Sequence, residues 1–381
     1  MDGRHYTTMM EALADVPDPR ARRGVRHAWT LLLALIGAAM VSGNQHGRAI
    51  AQWVREHAEV LDQLLEPEGG RLPSESTLRR ALALVDVSEL ERRLGKLWEC
   101  ADRQQEGLLR GQAMDGKQVR GCGTHGRLMH LLSVARHGDG AVLAQVEVGT
   151  KENEIVAAPE LLKGLELGGT VTTVDAMLTQ RKIAQQILGQ GGHYLMVVKD
   201  NQPLMREAIA ELFDVESWMP SEIGTRYWKY ESLGKGHGRL EKRTLECSTV
   251  LEGWLRWPGV GQVMRRKCER VIVATGELQR EVSYAVTSLS PQKAGAKALE
   301  GLWRGHWSIE NRVHYVRDVT MGEDAGQAYT RSTPQALAAL RNCIIRLLRL
   351  QGWKSIADAL RHYCARPYCA LALIGAIPPR L

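Results

Sequence analysis

The chain has 381 residues, of which 44% are hydrophobic and 24% are charged. This composition is typical of a globular protein with two or three domains, and it excludes disorder as a description of the whole chain. The 50 Lys and Arg residues exceed the 43 Asp and Glu residues, and the formal net charge of +7 permits a nucleic-acid partner without requiring one.

Residues 1–105 are predicted to form a domain built only of helices. The apolar run Trp29–Val41 follows a group of arginines, as in a secretion signal, but it begins late and is shorter than the ~20 residues that span a bilayer. We therefore expect a buried helix and no membrane segment. Short helices with several arginines leave two interpretations, a helix-turn-helix DNA reader and a packing domain with a basic surface, and the pattern alone favours the second.

From residue 106 onward, strands and helices are predicted to alternate. Their order indicates a mixed α/β sheet with flanking helices over 106–216 and 291–350, a β-rich insertion over 217–290 and a C-terminal tail over 351–381. The predicted strands cover Leu108–Met114, Arg127–Arg136, Ala141–Val148, Thr170–Val174 and His193–Val198, and the predicted helices cover 155–165, 179–188, 203–213, 291–316 and 333–350.

Two aspartates occupy matching places, because Asp115 and Asp175 each follow a predicted strand. Active sites in open α/β sheets gather at the carboxyl ends of strands. Two close carboxylates repel unless a cation lies between them, and hard oxygen ligands favour Mg²⁺ or Mn²⁺. Two such ions would suit phosphodiester chemistry, with Glu310 on a late helix as the third acid. The alternative, which spacing alone favours, is that each Asp caps the helix that follows it.

Two patterns argue against other kinds of site. The seven cysteines include no CxxC pair, so a zinc ribbon is not predicted and reduced thiols are expected. The GxGxxG match at residues 121–126 is predicted to lie in a hairpin between two strands. A dinucleotide site needs a helix directly after the strand, so a nicotinamide dehydrogenase is excluded.

An ordered series of motifs resembles the DDE transposases of the ISAs type, the group that includes the H-repeat-associated proteins. The resemblance spans nearly the whole chain, and the N-terminal part resembles the associated domain of that family. The motifs are Met114–Lys117 followed by Arg120-Gly121, then Lys151–Ile155, Thr173–Met177, Val198–Gln202, His237–Arg243, Ile309–Asn311, Asp318–Thr320 and Glu323-Asp324.

The resemblance implies an RNase H-like catalytic domain in which Asp115, Asp175 and Glu310 bind Mg²⁺ or Mn²⁺, expected as two ions. It implies a DNA transposase that cleaves the ends of an insertion sequence and transfers the strands. The implied partners are double-stranded DNA with terminal inverted repeats, target DNA and a second copy of the chain in a homodimer on DNA. The N-terminal helices would read the repeats, and the expected location is the cytoplasm, at the nucleoid.

Other residues are candidates for DNA contact. Related transposases carry a Tyr, Arg, Glu and Lys series, and Trp303, His306, Glu310 and Arg317 occupy those places here. Since His is mostly uncharged at neutral pH, His306 would bind phosphate weakly. The further candidates are Lys199 and Asn201 after a strand, Arg239, Lys242 and Arg243 in the insertion, and Trp254 or Trp257 as a surface for a flipped base.

Each candidate has a structural alternative: a strand-to-helix turn for Lys199 and Asn201, a solvated strand for the arginines, and core packing for the tryptophans. Asp318 is a second choice to Glu310, from which it would lie roughly 80° round an α-helix. Two other functions stay open. One is a catalytically inactive DNA-binding protein derived from a transposase; the retained acids argue against it, because clustered like charges would not help such a protein bind DNA. The other is a nuclease that cuts DNA without joining it.

Overall fold

The computed structural model describes residues 6–23, 25–97, 109–124, 127–149, 153–215, 226–236 and 238–379. The motif residues Lys151, Glu152 and His237 lie outside this part of the chain. The described residues fall into two compact units. The first comprises Met1–Glu106, Gly116–Thr150 and Ile309–Leu381, and the second comprises Gly107–Asp115 and Lys151–Ser308.

Helices make up most of the first unit. Its N-terminal helices are α1 (Met9–Ala14), α2 (Trp29–Val41), α3 (Gly47–Glu56), α4 (Ala58–Leu65), α5 (Glu75–Leu84) and α6 (Val87–Lys96). Polar caps start several of them. Thr8 and Glu11 form a reciprocal capping box at α1, and the Asp86 carboxylate accepts the Glu89 N–H at α6.

Helix α2 is the centre of the core of the first unit. Nearly all of its side chains are buried, as expected of an apolar run that is too short to cross a bilayer. The cover comes partly from the C-terminal helices α11 (Thr333–Leu350), α12 (Ile356–Cys364) and α13 (Pro367–Ile374), which share one apolar core with residues of the N-terminal helices. The predicted divisions at residues 105 and 351 therefore cut through a continuous core, and residues 351–381 include two packed helices rather than a tail.

Strands of the second unit form a largely buried sheet. Strand β1 (Arg110–Thr124) pairs in parallel with β4 (Thr170–Val174), and β4 pairs in parallel with β5 (His193–Val198). The helices between these strands are α7 (Glu154–Lys163), α8 (Arg181–Gly189) and α9 (Pro203–Val215). Every residue of β4 is buried, as befits a central strand of a parallel sheet with helices on its faces.

The predicted β-rich segment forms antiparallel strands that extend this sheet from β5. They are β6 (Tyr227–Gly236), β7 (Arg239–Ser248), β8 (Gln262–Ile272) and β9 (Leu278–Thr287), and β9 pairs with β5. In the first unit β2 (Arg127–Arg136) pairs antiparallel with β3 (Val142–Val148). The strand order is β3-β2-β1-β4-β5-β9-β8-β7-β6. The mixed α/β fold with an N-terminal helical region is thus confirmed, and the order agrees with the RNase H-like sheet that the resemblance implies.

Two predicted boundaries differ from the structure. Strand β1 does not end at Asp115 but continues to Thr124, because β2 is its neighbour after β4 has ended. The predicted helix over 291–316 is broken: α10 (Ala296–Gly305) ends before His306, and a separate helical segment follows. Among the described helices, none combines the length and apolarity needed to cross a membrane.

Candidate functional site

Asp115 and Asp175 occupy equivalent positions on neighbouring parallel strands. The register pairs Met114 of β1 with Val174 of β4, and an aspartate follows each of these two residues. Neighbouring strands run about 4.8 Å apart, so both carboxylates leave the sheet at the same level. The Asp175 Oδ1 accepts the Leu178 N–H at 3.2 Å, in the turn before α8. The N-cap residue of α8 is Gln180, so the alternative in which Asp175 caps the helix that follows it is wrong.

Glu310 lies in a segment with π-helical hydrogen bonds that spans Glu310–His314 and Val316–Thr320. The Tyr315 N–H donates to the Glu310 carbonyl and the Met321 N–H to the Val316 carbonyl, so each bond spans five residues. Such segments are rare and recur at functional sites. The interpretation of His306, Glu310 and Arg317 as one face of an α-helix is therefore wrong for this stretch, and so is the 80° offset of Asp318.

His314 contacts Glu310 within that segment, with 3.0 Å between imidazole Nδ1 and carboxylate Oε2. The Glu310 side chain is 53% exposed, whereas that of His314 is 4% exposed. The hydrogen bond from His314 lowers the pKa of Glu310 below its ordinary value, against the opposing effect of burial. Burial lowers the pKa of His314, and its hydrogen bond to Glu310 opposes this only in part.

The Glu310 carboxylate and the His314 imidazole, both in the first unit, could bind a cation. A carboxylate with an imidazole suits a divalent ion such as Mn²⁺, since oxygen ligands favour hard cations and imidazole favours transition metals. In the second unit, the register places Asp175 beside Asp115.

Lys117, two residues after Asp115 in the sequence, is a buried lysine. The Lys117 ammonium lies 2.5 Å from Asp318, 3.7 Å from Glu323 and 3.8 Å from Asp324, and its side chain is only 5% exposed. Burial raises the pKa of Asp318, and the ion pair with Lys117 opposes that rise. Asp318, the second-choice acid, is thus a partner of Lys117.

Arg317 does not face solvent, because its side chain is 0% exposed. Its guanidinium donates to Glu323 at 2.9 Å through two nitrogens and to Gln145 at 3.0 Å. Arg341 contacts the same carboxylate at 3.0 Å. Burial opposes ionisation of Glu323, but the two guanidinium groups outweigh it and lower the pKa of Glu323 to about 2. The predicted DNA contact of Arg317 is therefore not compatible with this structure, in which the side chain belongs to a buried ion network.

His306 lies in the turn after α10, and its Nδ1 is 3.0 Å from the hydroxyl of Thr173 on β4. Trp303, which occupies the place of the Tyr in the Tyr, Arg, Glu and Lys series, is 3% exposed and therefore belongs to the core. The Arg266 guanidinium lies 4.4 Å from the centre of its ring, in a cation–π contact. His306 is consequently near the end of β4, while Trp303 stacks on protein and not on a base.

The remaining candidates lie on the surface of the second unit. Lys199 is exposed after β5, and the exposed Asn201 donates from its amide to the Ala176 carbonyl at 2.5 Å, which supports the turn alternative. Arg239 is exposed on β7, whereas Arg243 is half-buried and pairs with Glu241. Trp254 is 67% exposed and Trp257 is 8% exposed, so only Trp254 presents a free ring face.

Sequence reasoning missed His314 and Lys117. The signal for His314 was available, because it follows Glu310 by four residues, a spacing at which helical side chains meet. The signal for Lys117 was weaker, since its acidic partners lie about 200 residues later in the chain, beyond the reach of any local pattern.

The chain is similar to known transposases over most of its length. The family model described as "Transposase DDE domain" matches residues 106–347, and the one described as "DDE_Tnp_1-associated" matches residues 10–98. The "H repeat-associated putative transposase YhhI" of Escherichia coli K12 is 27% identical over 348 residues, covering 89% of this chain and 90% of that protein. "Putative transposase YncI" of Escherichia coli O157:H7 is 28% identical and covers 90% of this chain and 87% of that protein.

A protein of Xanthobacter autotrophicus, "Uncharacterized protein in dhlA 3'region", is 30% identical over 72% of this chain and 92% of its own length. Among solved structures, a piggyBac transposase synaptic complex with hairpin DNA covers 98% of this chain and 79% of that chain, with 12% identity and a TM-score of 0.40.

Proposed function

This chain belongs to the DDE transposase family, and on that premise we propose that Asp115, Asp175 and Glu310 bind two divalent ions, Mg²⁺ or Mn²⁺, where DNA is cleaved and joined. The observation that carries the proposal is the register of Met114 with Val174, which aligns two aspartates on adjacent parallel strands. The family model described as "Transposase DDE domain" covers residues 106–347 and so includes Glu310, which supports Glu310 as the third acid.

The donor set fits divalent ions of this kind. Carboxylate oxygens are the ligands that Mg²⁺ and Mn²⁺ prefer, and three carboxylates supply enough negative charge to balance most of the charge of two ions. Glu310 is half exposed, which leaves its second oxygen accessible to a ligand while His314 holds the first. The imidazole of His314 would favour Mn²⁺ over Mg²⁺ if it entered the coordination sphere.

In this mechanism the protein positions groups and balances charge. Asp115 and Asp175 hold the cleavage site at the end of β4, and Glu310 completes it from the π-helical segment. Bound divalent ions would supply an activated water or 3′-OH and stabilise the leaving oxygen in each in-line transfer. Lys117, buried beside Asp318 and Glu323, balances the acids that follow Glu310 and keeps that end of the site in place.

The proposed substrates are double-stranded DNA with terminal inverted repeats and target DNA, handled by a homodimer because two ends must be joined. The exposed Lys199 and Arg239 are proposed phosphate contacts. Asn201, Arg243 and His306 are further proposed DNA contacts, although each also contacts another residue of the protein. The proposed location is the cytoplasm, at the nucleoid, where the DNA substrate lies.

A cleavage assay tests the three acids. Asp115→Asn, Asp175→Asn and Glu310→Gln are each expected to abolish Mg²⁺-dependent cutting of DNA that carries an element end, while the affinity for that DNA is retained. Glu160→Gln and Asp358→Asn, changes at exposed acids on α7 and α12, are the matched controls and should cut at the wild-type rate. Undiminished cutting by any of the three test variants would remove that residue from the site.

The same assay separates the alternatives. Joined products in the presence of target DNA support a transposase, whereas cut but unjoined ends indicate a nuclease. A chain that binds the DNA but shows no Mn²⁺ binding by calorimetry would be the catalytically inactive, transposase-derived protein.

A further inference from the structure

A cleft in the first unit has no assigned role. Its volume is about 930 Å³, and it is bounded by the starts of α3 and α5 and by the segment 325–333 that leads into α11. Its lining includes His46, Arg48, Glu75, Arg79, Arg80, Gln327 and Tyr329.

Positive charge dominates this cleft. Three arginines, Arg48, Arg79 and Arg80, face a single carboxylate, that of Glu75. The contact between Arg79 and Glu75 is long, at 3.9 Å, and both side chains are partly solvated, with 63% and 36% exposure. Exposed pairs of this kind are worth little, so they leave the guanidinium available to another anion.

The other two arginines are also available. Arg48 is exposed and makes no ion pair with any residue that the structure describes. Arg80 is exposed and, within the part of the chain that the structure describes, donates only to Ser76, at 3.1 Å to the carbonyl and 3.5 Å to the hydroxyl. Guanidinium groups bind phosphate through parallel N–H donors, a geometry that lysine does not offer.

The third wall of the cleft is held in place. Ser332 donates from its hydroxyl to the Ala83 carbonyl at 2.8 Å, which ties segment 325–333 to the end of α5. The residues just before that segment, Glu323 and Asp324, are fixed by Arg317 and by the Arg120 N–H, the latter at 3.0 Å. Gln327 and Tyr329, both exposed, add hydrogen-bonding groups to this wall. The chain thus passes from Glu310 through the buried ions directly to the cleft.

We propose that this cleft binds the phosphodiester backbone of the element-end DNA, with Arg48, Arg79 and Arg80 as the phosphate contacts. The inference rests on the proposed function for the identity of the DNA. The cleft is too small to enclose a duplex, so the contact is with one strand of the backbone and carries no base specificity of its own.

The test measures DNA binding without catalysis. The full chain is titrated in EDTA into a labelled duplex that carries the element end, and fluorescence anisotropy is read at several salt concentrations. Arg48→Ala, Arg79→Ala and Arg80→Ala are each expected to weaken binding by about tenfold. Each should also reduce the slope of log affinity against log salt by about 0.9, the value for one lost phosphate contact on B-DNA.

Two kinds of control keep the test decisive. Arg361→Ala removes an arginine whose side chain is 72% exposed on α12, outside the cleft lining, and should leave affinity and slope unchanged. The Arg→Lys variants at the three positions retain the charge and should keep the salt slope while losing part of the affinity. They also show that a loss in the Ala variants is not a folding defect.

Unchanged affinity and slope in the triple Ala variant, or an equal loss in Arg361→Ala, would overturn the proposal. So would an effect of the arginine variants on binding of inorganic phosphate but not of DNA, which would mark a small-anion site. Failure of the wild-type chain to cut DNA in Mg²⁺ would instead count against the proposed function, because the EDTA measurement does not depend on cutting.

Discussion

Glu310 and His314 form a carboxylate–imidazole pair, 3.0 Å apart, inside a π-helical segment, with the acid half exposed and the imidazole buried. Burial keeps the pKa of His314 low, so the ring is neutral at neutral pH and retains a lone pair. A neutral imidazole can orient a carboxylate ligand or bind a cation itself. The pair therefore makes His314 the residue on which the Glu310 end of the site depends.

Replacing His314 should weaken metal binding. His314→Gln is expected to reduce the affinity for Mn²⁺ by about 10–100-fold, as found when a partner that orients a metal ligand is removed. Isothermal titration of the full chain with Mn²⁺ measures this. His362→Gln on α12 is the matched control, and thermal unfolding of both variants checks that they fold. A folded His314→Gln variant with wild-type affinity would show that the imidazole has no part in binding.

Removing the buried guanidinium of Arg317 should be costly. In Arg317→Met, Glu323 keeps Arg341 but loses its bidentate partner, and Gln145 loses a donor. Breaking one side of a buried ion pair lowers the free energy of unfolding by about 3–5 kcal/mol. Urea unfolding measures the change, and Arg361→Met, at an exposed position, should stay within about 0.5 kcal/mol of wild type. Adding Glu323→Leu to Arg317→Met should cause a further loss, because it leaves the buried Arg341 without its carboxylate partner, and a recovery would contradict this account.

Glu323 should make the fold acid-sensitive. Its pKa is lowered to about 2 because Arg317 and Arg341 outweigh the effect of burial. A carboxyl group with a lowered pKa stabilises the fold above its ordinary pKa, and this contribution disappears as pH falls from about 4.3 to about 2. The contribution is on the order of 3 kcal/mol. Unfolding measured between pH 6 and pH 2 should therefore be less pH-dependent in Glu323→Gln than in wild type.

Glu91 should have the opposite effect at higher pH. Burial raises its pKa to about 7, although Gln145 donates to it at 2.9 Å and Gln335 at 3.4 Å. The folded chain then keeps a proton that the unfolded chain has lost, so the wild type loses stability as pH rises from about 4.3 to about 7. Glu91→Gln should unfold like wild type at pH 4 and be more stable at pH 8, by about 3 kcal/mol at most.

The exposed acid Glu160 supplies the control for that measurement, since Glu160→Gln should show no difference at either pH. A Glu91→Gln variant that is less stable than wild type at pH 8 would mean that the Glu91 carboxylate is ionised and paired in the folded chain.

Local pattern predicted the buried strands well. β4 and β5 occupy the predicted residues, because each is a short run rich in β-branched or apolar residues that begins directly after a glycine. β1 was cut short at Asp115 because the polar and Gly-rich residues after it resemble a turn. The strand continues for a reason that no local pattern contains, namely that β2 lies beside it.

The acids of the site were predictable, but their surroundings were not. Asp115 and Asp175 could be aligned from two strand ends, and Glu310 came from the family resemblance. The charges from Arg317 to Asp324 resemble an exposed, solvated stretch in the sequence. Their burial depends on Lys117, Gln145 and Arg341, which lie far away in the chain, and the change from α-helical to π-helical hydrogen bonding has no sequence signal of its own.

The stretch between Glu310 and Thr320 is constrained in its length as well as in its composition. The hydrogen bonds from the Tyr315 and Met321 N–H groups each span one residue more than in an α-helix, so the stretch contains a residue that an ordinary helix would not hold. Tyr315 and Val319 are 55% and 62% exposed, so substitutions at these positions leave the backbone ladder intact. Deleting Tyr315 would remove one residue between Glu310 and Arg317 and would turn Glu310 by roughly 100° relative to Arg317. At Tyr315, evolution should therefore accept replacements but reject a single-codon gap.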